Sequence, residues 1–218
     1  MCSSDLGQAV LASDTVKQLF LNLEANGCLL RLNQAHWPTM YRCATVTEFE
    51  LDELRRIPNV VRMGRVKQIE PGTLHLEEGD HAIDHDALIV DCSADGLERR
   101  PPVPVFDGKN ITLQAVRTCQ QVFSAAFIGH IEVAFKDDVQ KNELATPVPH
   151  PDTDIDWIRT TMENAVNGYK WSQAEGLTDW LKRSRLDGFS QVEPLPSPAI
   201  QIDMLEVHQK LQHLLSSA

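Results

Sequence analysis

Hydrophobic and polar positions change period several times along the chain. Val16, Leu19, Phe20 and Leu23 recur at helical spacing behind Ser13-Asp14-Thr15, and Gly27 stands where a helix-ending residue belongs. The short apolar run 28–33 predicts a buried strand, and 36–46 a loop around Pro38 that becomes extended. Thr47 and Glu50 have capping-box spacing before a helix with Phe49, Leu51, Leu54 and Ile57 apolar, and Pro58-Asn59 stops it. Residues 60–70, β-branched around Gly64, predict a strand with a bend. Pro71-Gly72 is a turn, and the alternation in Thr73–Gly79 predicts a half-exposed strand. A polar loop then leads into a fully apolar strand, Ala87–Val90, that ends in the tight turn Asp91–Gly96.

The order helix, strand, helix, strand, hairpin strand, buried strand is how the later part of a dinucleotide-binding domain ends. The expected fold class is therefore α/β: a partial Rossmann-like nucleotide-binding domain with a β-meander, followed by a mainly helical C-terminal part. Pro101, Pro102 and Pro104 mark an irregular stretch, 97–111, expected to cross between domains. A short strand and a helix over about 119–135 follow. A later helix is expected to be capped by Asp154 or Asp156, with Trp157, Ile158, Met162, Ala165, Val166 and Tyr169 on its apolar side. A short helix near 176–184 and an extended linker at 192–200 precede a terminal helix carrying Leu205, Leu211, Leu214 and Leu215. The opening "MCSSDL" has the form of translated adapter DNA. The expected division is thus 1–7 as a non-native leader, 8–96 as the end of an NAD(P)-binding-like domain, 97–135 as a crossing and returning segment of an FAD-binding domain, and 136–218 as the helical region.

Charge and cysteine content narrow the function classes. The net charge of −11 disfavours nucleic acid and anionic membrane as partners. No apolar run reaches the ~20 residues of a membrane helix, and no signal-peptide pattern opens the chain, so a cytoplasmic location is expected. The five cysteines form no CxxC pair and are expected to be free thiols in a reducing compartment. His81 and His85 lie among Asp80, Asp84 and Asp86, where a metal site competes with a solvated acidic turn, and the turn is favoured. Cys43 beside Arg42 is either an activated thiol or, in the favoured reading, a structural one. Trp157, Tyr169, Trp171 and Trp180 are candidates for lining an apolar pocket or for a helical core. No GxSxG, HExxH or P-loop is present.

Five blocks together resemble one family: Trp37–Val46, "ELRRIPNVVRMGRV", "LIVDCSADGL", "PVFDG" and "ITLQAVRTCQQVFSAAFIGHIE". They are similar to the C-terminal half of bacterial FAD/NAD(P)-binding oxidoreductases akin to flavin-containing monooxygenases and pyridine-nucleotide-disulfide oxidoreductases. The similarity runs from about residue 8 to about residue 190. It implies a Rossmann-type FAD domain with a second nucleotide domain inserted, and a chain that is N-terminally truncated before its Gly-rich phosphate loop. FAD and NAD(P)H are the implied cofactors and a small molecule the substrate. Ser93, Ala94, Asp95 and Gly96, with Arg117 and Thr118 behind them, are the residues expected near cofactor. Related flavoproteins carry an Ala-Thr-Gly turn where this chain has Ser93-Ala94-Asp95-Gly96. No catalytic acid or base is implied. The competing expectation is a non-catalytic α/β interaction module that docks a partner through its C-terminal helices.

Overall fold

The computed structural model describes residues 3–41, 46–93, 100–186 and 203–217. The fold is mixed α/β, close to half helical, with small antiparallel sheets. The chain divides into two units, one formed by Met1–Val46 with Arg100–Ala218 and the other by Thr47–Arg99. The expected 8–96 segment is thus shared between them.

The larger unit holds α1 (Ser3–Leu11), α2 (Val16–Ala25), the hairpin β4 (Phe106–Asp107) and β5 (Asn110–Ile111), α4 (Gln121–Ala134), α5 (Asp138–Leu144), α6 (Asp154–Gln173), α7 (Leu177–Ser184) and α8 (Met204–Ser216). Two apolar clusters form its core. In the first, Val10, Leu19, Phe20 and Leu23 of α1 and α2 meet Ile158 and Met162 of α6 and Val207, Leu211 and Leu214 of α8. In the second, Phe123, Phe127 and Ile131 of α4 meet Val116, Leu144, Leu177 and Trp171. A 20-residue helix spans about 30 Å, so α6 serves the first cluster near its start and the second near its end.

Local sequence explains most boundaries in this unit. Thr15 caps α2 by accepting from Gln18 N. At the other end Gly27 takes φ +69°, its N–H donates to Glu24 O, and Cys28 N donates to Leu23 O, which is a Schellman closure. Leu29 N also turns back to Leu23 O, so the predicted strand at 28–33 is consumed as a helix cap and is irregular. Thr153, with Asp156 as its capping-box partner, starts α6, in place of Asp154 or Asp156 as the cap. Tyr169 faces outward, while Thr160 and Asn167 are buried. Helix α1 runs through Ser3–Leu6, and Leu6 packs against the first cluster, so the boundary expected at residue 7 falls inside a helix. Leu211 and Leu214 of the terminal helix are committed to the chain's own core. Cys28 and Cys92 are free thiols, whereas Cys119 is disulfide-bonded, against the expectation of thiols throughout. Lys141 is buried but paired, 2.6 Å from Glu132 and 3.3 Å from Asp138, and Glu132 chiefly holds its ammonium above the ordinary lysine range.

The smaller unit holds α3 (Glu48–Arg55) and a three-stranded antiparallel meander, β1 (Val66–Glu70), β2 (Thr73–Leu76) and β3 (Gly79–Ala82), in that spatial order. The Thr47–Glu50 capping box forms as expected. Gly72 takes φ +84° at the turn between β1 and β2. The register shifts between Val66 and Gln68, so Val66 faces Leu76 and Ile69 faces Leu74. That bulge puts Val66, Ile69, Leu74 and Leu76 on one face and Gln68, Glu70, Thr73, His75 and Asp80 on the other. Among the described residues of this unit only Leu51 is buried. Residues 60–65 precede the strand and are irregular. The predicted strand 87–90 is also irregular and exposed, because a strand exists only as one partner of a ladder and no described strand pairs with it.

On the polar face His75 Nδ1 lies 2.8 Å from Asp80, and Glu70 is 3.5 Å from Nε2. Asp80 first and Glu70 second raise the imidazole above its ordinary value of 6.5. A raised folded pKa stabilises the meander fully below the unfolded pKa, and that contribution is lost as pH rises through the folded pKa. Amide exchange in β2 and β3 is therefore expected to quicken across that window relative to the rest of the unit, and His75→Gln is expected to abolish the difference. In the larger unit, fully buried Phe127 lies 4.5 Å from Trp171 and 5.7 Å from Phe123 between ring centroids. Phe127→Ala is expected to cost about 3–5 kcal/mol in urea unfolding, and Phe49→Ala, at a site 74% exposed, less than about 0.5 kcal/mol.

Candidate functional site

The residues singled out in the sequence fall in different places. Ser93 belongs to the smaller unit and is exposed. Its N–H and Oγ both donate to Asp91 Oδ1, at 2.8 and 2.6 Å, and those bonds hold the Asp91 carboxyl below its ordinary range. Ala94, Asp95 and Gly96 lie outside the described residues, as do Arg42 and Cys43. Arg117 and Thr118 are adjacent in the larger unit, in the turn that opens α4.

That turn is fixed from three directions. Val116 N donates to Ser124 Oγ at 3.1 Å, and Ser124 Oγ donates to Gln120 O at 2.8 Å. Val116 O accepts from Asn167 Nδ2 at 2.9 Å, and the same amide donates to Thr146 O at 2.8 Å. Val148 N donates to Ala115 O at 2.7 Å, and Trp171 Nε1 donates to Leu144 O at 2.7 Å. Segments 115–116 and 144–148 are therefore tied to each other and to the inner face of α6. Inside the turn, Gln120 N donates to Arg117 O and Gln121 N to Cys119 O, each at 3.1 Å.

The constraint shows in the backbone. Thr118 has φ +39°, in the left-handed region, where a β-branched residue is a true outlier. Such a conformation costs on the order of 1–3 kcal/mol and persists only where its surroundings over-determine it. The helix that follows is 14 residues long, and its N-cap, Gln120, makes no side-chain cap. Its first N–H groups and the positive end of its dipole face the turn. The Arg117 guanidinium lies 4.9 Å from the Phe123 ring centre and 5.5 Å from that of Trp171, stacked on the aromatic cluster. Trp171 and Trp180 are thus core residues, and His130 stacks on Trp180 at 4.5 Å with burial, then Arg183, pushing its imidazole below the ordinary value. Two buried acceptors at the turn, Gln120 Oε1 and Asn167 Oδ1, make no hydrogen bond among the described residues, and neither does Asn164 Oδ1 elsewhere on α6. The arrangement presents a cation, a helix N-terminus and acceptor oxygens around one strained turn, which suits a ligand bearing both an anionic group and N–H or O–H donors.

The sequence reading passed over Asn167, Ser124 and Gln120. The signal was there: Asn164, Asn167 and Trp171 repeat at helical spacing along α6, on the side opposite Ile158 and Met162. The other candidate, His81, stands in β3 opposite Leu74, and His85 is exposed beyond that strand. Among the described residues no group of three or more His, Cys, Asp or Glu could hold a metal ion. No helix of the described residues is long and apolar enough to cross a membrane.

Asn167→Ala removes the donor for one buried and one part-buried carbonyl. It is expected to destabilise the larger unit by at least about 1–3 kcal/mol in urea or thermal unfolding, with the loss traceable by amide exchange to 115–124 and 144–148.

Comparison with known proteins sets the chain within a longer frame. It is 47% identical over 205 residues to the uncharacterized protein Rv2000 of Mycobacterium tuberculosis, and equally so to the uncharacterized protein Mb2023 of Mycobacterium bovis. The match takes in 93% of this chain but only 38% of each relative, so the chain spans well under half their length. No family model matches the chain. No solved structure matches it either.

Proposed function

We propose that the chain forms part of an FAD-dependent oxidoreductase that uses NAD(P)H to reduce flavin and passes the electrons to an organic acceptor or to oxygen. The observation that carries this reading is the Arg117–Gln120 turn. A β-branched residue is held at positive φ immediately before an uncapped 14-residue helix, with a guanidinium beside it. Stored strain of this kind concentrates at ligand clamps. A helix N-terminus with an adjacent arginine favours a phosphate group, which a dinucleotide carries.

The buried side chains fit the rest of such a molecule. Gln120 Oε1 and Asn167 Oδ1 are acceptors that take hydroxyl and imide N–H donors, and a flavin with its ribityl chain bears both. When bound, FAD supplies the hydride-accepting chemistry, and the chain's residues hold and orient it. Arg117 and the first turn of α4 meet the anionic end, and Thr118 aims the backbone. The acidic net charge of −11 is consistent with a small-molecule substrate in preference to nucleic acid. In this reading the Gly-rich phosphate loop belongs to the part of the relatives that lies outside the matched 205 residues.

The test is flavin binding by the chain and by the full-length Mycobacterium tuberculosis relative. The relative is expected to purify with, or take up, stoichiometric FAD that NAD(P)H bleaches. The chain is expected to quench FAD fluorescence weakly, with Arg117→Ala weakening binding roughly tenfold, the worth of one charge-assisted hydrogen bond. A full-length relative that neither carries nor accepts flavin ends this reading.

A further inference from the structure

The smaller unit cannot be self-sufficient. Its meander is sorted by the bulge into an apolar and a polar face, yet on the apolar face Val66 and Ile69 remain 52% and 50% exposed. The run Leu88-Ile89-Val90 is more open still, with Leu88 at 89% and Val90 at 69%. One buried side chain among the described residues, Leu51, does not make a core. A sheet sorted into two faces needs a layer against the apolar one, and an extended apolar run that no described strand pairs with needs a neighbouring strand.

We propose that this apolar face and the Leu88–Val90 run are an interface for the polypeptide that the relatives carry beyond the matched region. That polypeptide lays a packing layer on Val66, Ile69, Leu74 and Leu76 and pairs a strand with Leu88–Val90. Three observations point to this occupant. The matched segment is 38% of each relative, so the larger share of their chain is available to supply the layer. Apart from half-buried His81 opposite Leu74, the positions on this face are aliphatic and carry no charge, as for an intramolecular core cut open. The bulge between Val66 and Gln68 preserves the sorting at the expense of regular pairing, which serves no purpose on a face left in water. The inference stands whatever reaction the protein catalyses.

The test is to produce the full chain with and without the remaining part of the Mycobacterium tuberculosis relative, alongside the double variant Leu88→Asp, Val90→Asp. Both positions are exposed, so the variant chain is expected to keep the thermal transition of its larger unit. The wild-type chain is expected to co-purify one-to-one with the added polypeptide, with amide exchange at 66–76 and 88–90 slowed at least tenfold. The double variant is expected to lose the complex. The proposal is overturned if the soluble added polypeptide does not bind, or binds wild type and variant alike. It is equally overturned if the chain alone forms a dimer that protects these segments, since a second copy would then be the occupant.

Discussion

One side-chain amide holds the larger unit in register. Asn167 donates both of its N–H groups to main-chain carbonyls, Val116 O and Thr146 O, from segments that no sheet ladder joins to α6. Two acceptors identify which end of the amide carries nitrogen, so the orientation follows from the network. Without these bonds the buried carbonyl of Val116 and the part-buried one of Thr146 would lose their donor, a cost the surrounding apolar contacts do not relieve. The amide stands between the two stretches of α6 that feed separate apolar clusters, Ile158 and Met162 on one side and Trp171 on the other. Aromatic packing fills space around it, but the direction of the chain at 115–118 depends on this bond pair and on Ser124.

The strain at Thr118 follows from that anchorage. Val116 is fixed at its N–H by Ser124 and at its carbonyl by Asn167, and Ser124 also fixes Gln120. Three residues must join two fixed points and enter a helix. A chain with both ends held must take up the mismatch between them, and here the positive φ falls on Thr118. Glycine would occupy this position without penalty. The presence of threonine therefore marks a cost that the packing alone does not require, which is why this turn outranks Asp91–Ser93, whose hydrogen bonds close on themselves.

What was legible in the sequence was whatever is decided within a few residues. The Gly27 closure, the Thr47–Glu50 capping box, the Pro71-Gly72 turn and the span of α4 all came from local chemistry and took their expected form. The strands at 28–33 and 87–90 did not. Short apolar runs state only that a segment favours burial, and what they become depends on partners distant in sequence. At 28–33 the helix cap took the chain first. Asn167 was illegible for the same reason: an asparagine inside an amphipathic helix reads as an interruption until the carbonyls it serves are placed beside it. Arg117 and Thr118 are named by resemblance alone, and the geometry adds the strain and the aromatic contacts that the resemblance does not contain.

The two units differ in how their apolar surface is disposed. The larger unit buries aromatic and aliphatic side chains in two clusters and uses polar side chains to fix its loops. The smaller has well-formed local structure, with its cap, turn and bulge in place, but almost no core. Local rules suffice to shape a meander and a helix. Burial requires a second layer, and sequence periodicity specifies the face that needs one without supplying it. A unit that satisfies every local rule and leaves its apolar face open is one whose fold was selected in the presence of another surface.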